Sequence, residues 1–256
     1  MDLDKFELFD SHFHIIDSQF PLFENNGFLP EYFSMDSYFN RLSDYTLIGG
    51  AVVSGSFQGF DQSYLVSALQ KLGSSYAGVT QLPADTPDNA IIDLDKKGIK
   101  AVRFNLFRGG SAGIESIQEF ASRIFDLCGW HVELYLDSAN IADLYSTILS
   151  LPSVSIDHLG LTNSGHNWLL KLMEKNVRVK ATGFGRINFD ARDCLKDMYS
   201  ANPNSLMFAT DLPSTRASKL YSDDDFHMII DILGEDAASN VFSKNALKFY
   251  KKQNIC

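Results

Sequence analysis

Two histidines one residue apart, near the start of the chain, are the first side chains whose type and spacing could do chemistry. They lie in the segment Phe9-Asp10-Ser11-His12-Phe13-His14. Because successive side chains of a strand point to opposite faces, alternation predicts that Asp10, His12 and His14 share one face. A His-x-His pair at a strand end can supply two metal ligands or two hydrogen-bond donors. The alternative interpretation is two unrelated histidines at the end of a strand.

Two more polar residues follow short apolar segments later in the chain. His158 lies in Ser155-Ile-Asp-His-Leu-Gly, and Asp211 lies in Met207-Phe-Ala-Thr-Asp-Leu-Pro. Three imidazoles and one carboxylate around a point can activate water, with or without a bound divalent ion. The alternative for Asp211 is that it only caps the following turn.

The elements that must position these residues are eight short apolar segments that alternate with longer amphipathic ones. This pattern is typical of parallel strands joined by crossover helices. The predicted strands are 6–11, 47–54, 76–81, 99–105, 130–136, 154–157, 177–182 and 206–210, and the clearest helices are 61–72, 116–127 and 224–233. Eight such units predict an α/β fold, a (β/α)8 TIM barrel that forms a single domain over residues 1–256. In this fold the carboxyl ends of all strands meet at one mouth, where active sites lie.

Segment 17–34 interrupts the alternation. It is long, contains Pro21, Gly27 and Pro30, and is rich in phenylalanine. A loop of this length after the first strand is either a lid over the site or a packed surface excursion.

Composition excludes several classes of protein. The chain has 256 residues, 45% of them apolar, and a net charge of −10 without a Lys/Arg-rich run, which argues against a nucleic-acid partner. No stretch approaches the roughly 20 apolar residues of a membrane helix. The acidic start lacks the pattern of a secretory signal, so we expect a cytoplasmic protein. Cys128, Cys194 and Cys256 are widely spaced, and we expect free thiols rather than disulfides or a structural zinc site.

The motifs around the four candidate residues resemble those of the amidohydrolase superfamily, in its amidohydrolase-related branch. The motifs are Asp10-Ser-His-Phe-His14, Asp157-His-Leu-Gly160 and Ala209-Thr-Asp-Leu-Pro213. Two further segments, 98–105 with Arg108 and Val179-Lys-Ala-Thr-Gly-Phe-Gly-Arg186, are similar to the lactonase subgroup that contains 2-pyrone-4,6-dicarboxylate hydrolase. The resemblance extends from Phe9 to the closing segment 243–250.

The resemblance implies hydrolysis by a water held near Asp211, with the histidines polarising the carbonyl. It also implies that Arg103, Arg108 and Arg186 hold the carboxylates of a small anionic substrate, a role that suits the guanidinium fork. The alternative is that cations pair with interior acids such as Glu133 or Asp137, which we expect for Lys180.

Strand five carries His131, Glu133, Tyr135 and Asp137 in alternation. Tyr135 lies near the carboxyl end, and we expect it to form a hydrogen bond with the substrate. His131 lies lower, where a core histidine with a satisfied hydrogen bond is the better interpretation. His166 and His227 have no surrounding motif and are expected on the surface or on helices.

The requirement for a metal is open at this point. The carboxylated lysine and additional histidine of binuclear members are not found together at strand ends, so we do not expect a binuclear site. His12, His14, His158 and Asp211 could hold one zinc or manganese ion, whereas members of the lactonase subgroup can work without a metal. Two other functions also stay open: metal-dependent nonoxidative decarboxylation, and noncatalytic binding of an anion by the same barrel.

Overall fold

The computed structural model describes residues 3–251, and it contains eight parallel strands in the order β1 to β8. The strands are β1 Glu7–Phe13, β2 Thr46–Val53, β3 Tyr76–Thr80, β4 Ile99–Asn105, β5 His131–Tyr135, β6 Val154–Ile156, β7 Arg178–Ala181 and β8 Leu206–Phe208. No end differs from its predicted position by more than two residues. The predicted (β/α)8 barrel is confirmed.

The helices alternate with the strands and cover the outside of the barrel. They are α1 Met35–Arg41, α2 Ser63–Leu72, α3 Asp88–Lys96, α4 Ile117–Cys128, α5 Ile141–Ser150, α6 His166–Glu174, α7 Ala191–Ala201, α8 Asp223–Leu233, α9 Glu235–Ser239 and α10 Asn245–Lys251. A π-helical turn, Asn240–Lys244, joins the last two, and 3-10 turns occur at Leu3–Lys5, Ser56–Gln58, Ile114–Ser116, Ser138–Asn140 and His158–Gly160. None of the helices within residues 3–251 has the length and apolar character needed to cross a membrane.

Helix α4 illustrates why these segments form helices. Ile117, Phe120 and Ile124 recur at helical spacing, and all three are buried against the barrel. Burial of each such side chain stabilises the fold by about 1.5–3 kcal/mol. Gly129 ends the helix in the left-handed conformation, at φ 71°, which costs glycine little.

The barrel closes where β1 and β8 approach each other. The amide of Asp211 donates to the carbonyl of His12 over 2.8 Å, and the amide of His14 donates to the carbonyl of Leu212 over 2.8 Å. At the opposite mouth, Phe249 and Tyr250 of α10 pack beneath an apolar layer that includes Phe9. The barrel is therefore plugged at one end, and polar groups gather at the other.

A β-bulge in β1 corrects one expectation. Asp10 pairs with Gly50 and Phe13 with Val52, so β1 has one more residue than β2 over this interval. Phe9 consequently lies in the inner layer, whereas Phe13 stacks outside on Tyr38 with ring centroids 3.9 Å apart. Asp10 points away from the barrel axis but stays fully buried, and it accepts a hydrogen bond from the Tyr38 hydroxyl. The prediction that it shares a face with the two histidines is wrong, because the bulge breaks simple alternation.

Segment 17–34 is held by short antiparallel bridges. Ile16 pairs with Phe33 and Asn25 with Phe28, and the amide of Phe23 donates to the carbonyl of Phe57. Its tip therefore reaches the loops at the carboxyl ends of the strands. The lid function stays a prediction.

The cysteines agree with the expectation for the two that are described. Cys128 and Cys194 are buried, and no disulfide joins the two. Cys256 lies outside the described residues.

Candidate active site

The structure brings the four candidate residues together at the carboxyl ends of the strands. The imidazole ring of His12 lies 5.1 Å from that of His14 and 5.0 Å from that of His158, measured between centroids. Oδ1 of Asp211 is 3.8 Å from Nε2 of His12 and 3.6 Å from Nε2 of His14. One carboxylate oxygen therefore faces two imidazole nitrogens.

Unusual backbone conformations hold two of these residues. His158 has φ 51° and Asp211 has φ 59°, in the left-handed region that residues other than glycine seldom adopt. Such conformations cost of order 1–3 kcal/mol each and persist where the surroundings enforce them. Next to them, a Cβ at Gly183 would lie 2.5 Å from Nδ1 of His158, so only glycine fits there. The chain is strained at the positions that aim the candidate side chains.

Arg186 sets the charge state of Asp211. Its Nε donates to Oδ2 of Asp211 over 2.6 Å, and both side chains are buried. Burial alone would raise the pKa of Asp211, but Arg186 and, more weakly, His158 bring it well below its usual range. Asp211 is therefore ionised at neutral pH.

Burial holds His12 and His158 neutral. Desolvation lowers the pKa of His12 to about 4, against the opposing effect of Asp157. It lowers the pKa of His158 well below the usual value, with Asp211 opposing. Neutral imidazoles can donate a hydrogen bond or bind a metal.

A column of paired charges supports the site from below. Nζ of Lys180 donates to Oε2 of Glu133 over 2.5 Å and lies 3.5 Å from Oδ1 of Asp157. Tyr250 donates to the other oxygen of Glu133 over 2.6 Å. Burial would raise the pKa of Glu133, yet Lys180 and a hydrogen bond from His131 bring it to about 2. Lys180 thus pairs with Glu133, as expected, and His131 is buried with a hydrogen-bond partner.

The three arginines predicted to bind the substrate differ in whether a carboxylate of the protein already pairs with them. Arg103 donates from Nε to Oδ2 of Asp157 over 2.9 Å and from a terminal nitrogen to the carbonyl of Ser54 over 3.1 Å. Like Arg186, it is already paired with a carboxylate. Arg108 instead donates to the hydroxyl of Tyr135 over 3.3 Å. The pairing of Arg103 and Arg186 with Asp157 and Asp211 was not expected from the sequence.

A small cavity connects these groups at the mouth. It is lined by His14, Gly55, Ser56, Phe57, Arg103, Arg108, His158, Arg186, Thr215 and Arg216. Tyr135 borders it, with its ring 5.1 Å from that of His158. Sequence reasoning missed Arg216, and its signal would have been a basic residue shortly after Asp211 on the same loop.

The donor set fits one divalent cation. One donor atom each of His12, His158 and Asp211 lies within 4.8 Å of the others. Within the described residues, Nε2 of His12, Nδ1 of His158 and Oδ1 of Asp211 are buried without a hydrogen-bond partner. Nδ1 of His14 is 2.7 Å from the carbonyl of Val53, so this nitrogen donates and Nε2 carries the lone pair in the neutral form. Metal-binding histidines commonly use such a partner to orient the ring.

Part of this chain is similar in sequence to a curated hydrolase. The chain is 26% identical over 156 residues to 2-pyrone-4,6-dicarboxylate hydrolase of Comamonas testosteroni, an alignment that covers 59% of this chain and 51% of the relative. The chain thus spans about half the length of the curated relative that it matches.

Solved structures share the fold over nearly the whole chain. A probable 2-pyrone-4,6-dicarboxylic acid hydrolase from Acinetobacter baumannii, with citric acid bound, has a TM-score of 0.80 at 21% identity and covers 95% of this chain and 99% of its own. A protein from Agrobacterium tumefaciens has a TM-score of 0.84 at 16% identity, with 95% of each chain covered. The amidohydrolase family model matches residues 9–252. The chain therefore belongs to the amidohydrolase family.

Proposed function

We propose that this protein is a lactonase that hydrolyses a small carboxylated lactone by attack of an activated water on the carbonyl. The observation that carries the proposal is the buried Oδ1 of Asp211, which has no hydrogen-bond partner among the described residues and faces His12 and His14. A carboxylate held ionised with one free oxygen can accept a proton from water. The names of the relatives favour hydrolysis over decarboxylation.

The arginines bind and orient the substrate. Arg103, Arg108 and Arg186 line the cavity beside His158, and Tyr135 lies between Arg108 and His158. The relative that holds citric acid supports a small carboxylated ligand. A carboxylate that approaches Arg186 competes with Asp211 for its guanidinium. Substrate binding would then weaken the pairing that keeps the pKa of Asp211 low and make Asp211 a stronger base.

His12 polarises the carbonyl. Nδ1 of His12 lies 3.4 Å from both Nζ of Lys180 and Oδ1 of Asp157, whereas Nε2 has no hydrogen-bond partner among the described residues. In the tautomer that carries the proton on Nε2, His12 donates to the carbonyl oxygen as negative charge develops. One zinc or manganese ion bound by His12, His158 and Asp211, beside His14, would act there as a Lewis acid.

Asp211 can carry out both proton transfers that the hydrolysis requires. Asp211 takes one proton from the attacking water, and the hydroxide oxygen bonds to the carbonyl carbon. The ring carbon–oxygen bond breaks as the carbonyl re-forms, and Asp211 returns its proton to the leaving oxygen. The product carries a new carboxyl group and a hydroxyl or enol group.

A lactone screen tests this proposal. The panel includes 2-pyrone-4,6-dicarboxylate and neutral lactones of similar size, with ring opening followed by absorbance, acid release by pH-stat and carbon dioxide by mass spectrometry. We expect acid release without carbon dioxide, and only from carboxylated lactones. Release of carbon dioxide would indicate a decarboxylase, and tight anion binding without any turnover would indicate a noncatalytic protein.

A further inference from the structure

Arg216 lies on the loop after β8 and lines the cavity together with Arg108 and His158. Its backbone has φ 61°, so the loop holds it in a strained conformation. Its guanidinium lies over the ring of Phe28, 4.3 Å from the centroid, and donates to the carbonyl and side-chain oxygens of Asn25. Arg216 therefore joins the eighth loop to the tip of segment 17–34 at the mouth of the site.

Arg108 and Arg216 differ from the two deeper arginines in charge balance. Arg103 is paired with Asp157 and Arg186 with Asp211. Within residues 3–250, neither Arg108 nor Arg216 has a carboxylate within 4.0 Å of its nitrogens. The acceptors that they do have are neutral, namely the Tyr135 hydroxyl for Arg108 and Asn25 for Arg216.

The two unbalanced cations repel each other. The pKa of Arg216 is lowered from its ordinary value by burial and then by Arg108 and Arg186, with Tyr135 opposing. Repulsion between like charges is relieved when an anion binds between them. The mouth can therefore bind one anionic group in addition to any that Arg103 and Arg186 bind.

We propose that Arg216 is a further specificity-determining residue: its guanidinium extends the site beside Arg108, binds a second carboxylate remote from the scissile carbonyl, and selects dicarboxylated over monocarboxylated lactones. This inference rests on the proposed lactonase function. A guanidinium fork can bind both oxygens of a carboxylate, which a neutral amide cannot do with the same strength.

The first test compares two substrates. We would measure kcat and KM of wild type, Arg216→Gln and Arg216→Lys with 2-pyrone-4,6-dicarboxylate and with 2-pyrone-6-carboxylate, and use Arg192→Gln on the exposed face of α7 as a matched control. We expect Arg216→Gln to raise KM for the dicarboxylate about 10–100-fold with little change in kcat, and to leave the monocarboxylate unaffected. Arg216→Lys should recover part of the loss. Equal losses on both substrates would overturn the proposal and assign Arg216 to the placement of segment 17–34.

The second test does not depend on turnover. Citrate binding is measured by titration calorimetry for the same proteins, with thermal unfolding as the check on folding. We expect weaker citrate binding in Arg216→Gln and unchanged binding in Arg192→Gln. If wild type hydrolyses the lactone but citrate binds both Arg216 variants as tightly as wild type, the subsite is wrong. If wild type opens no lactone and Arg216→Gln still loses citrate binding, the lactonase proposal fails while the anion subsite stands.

Discussion

Arg186 occupies one oxygen of Asp211 at 2.6 Å and leaves the other oxygen directed at His12 and His14. The pair lies where the substrate must bind, because Arg186 lines the cavity at the mouth. One guanidinium is thus positioned to meet the substrate and to control the basicity of the carboxylate. Substitution of either Asp211 or Arg186 tests this double role.

Replacement of Asp211 tests its role as the general base. Asp211→Asn keeps the shape and an acceptor for Arg186 but removes the basicity, so we expect kcat to fall by about 10²–10⁴-fold. Citrate binding, measured by calorimetry, should change far less. Near-normal turnover would exclude Asp211 as the base.

Removal of Arg186 should change the pH profile as well as binding. The guanidinium lowers the pKa of Asp211, so Arg186→Met should raise that pKa and move the acid limb of kcat/KM to higher pH. Affinity for an anionic substrate should fall at the same time. Arg186→Lys retains a cation and should shift the limb less. If affinity falls while the acid limb stays in place, Arg186 does not control the base.

The buried pair below the site is expected to stabilise the barrel only as a pair. Lys180→Met leaves Glu133 charged and buried, which should lower the free energy of unfolding by about 3–5 kcal/mol in urea denaturation. The double variant Lys180→Met, Glu133→Gln should recover much of this loss, since no unpaired charge remains. Lys196→Met on the exposed face of α7 provides the control. A double variant as unstable as the single one would contradict this account.

Asp10 should make a separable contribution to the pH dependence of stability. Burial raises its pKa to about 6, against hydrogen bonds from Thr210, His12 and Tyr38. A raised folded-state pKa favours the protonated form, so this stability is present below pH 4 and is lost as the pH rises through 6. Relative to wild type, Asp10→Asn should therefore gain roughly 2 kcal/mol between pH 4 and pH 7. Urea unfolding at both pH values measures the difference, and a constant offset would show that Asp10 does not titrate in this range.

Chelation tests the role of a metal. We expect any ion to be held loosely, because Arg186 occupies Oδ2 of Asp211 and leaves only Oδ1 for a metal. Hydrolysis should then survive dialysis against a chelator, with metal content followed by plasma mass spectrometry. Activity that disappears on dialysis and returns with zinc or manganese would assign the polarisation of the carbonyl to the ion.

The sequence alone determined the barrel and the four residues at its mouth. Alternating apolar strands and amphipathic helices reflect local periodicity, and eight parallel strands place every carboxyl end at one mouth. For this reason the positions of His12, His14, His158 and Asp211 at predicted strand ends were enough to group them.

Only the tertiary structure decided how charges are paired around these residues. The bulge in β1 turns Asp10 outward, and a single extra residue in a ladder leaves no mark in the local apolar pattern. Arg103 meets Asp157, and Arg186 meets Asp211, across strands far apart in the chain. Such partners depend on strand register and side-chain packing, so sequence spacing could identify the charged residues but not which of them remain free to bind a substrate.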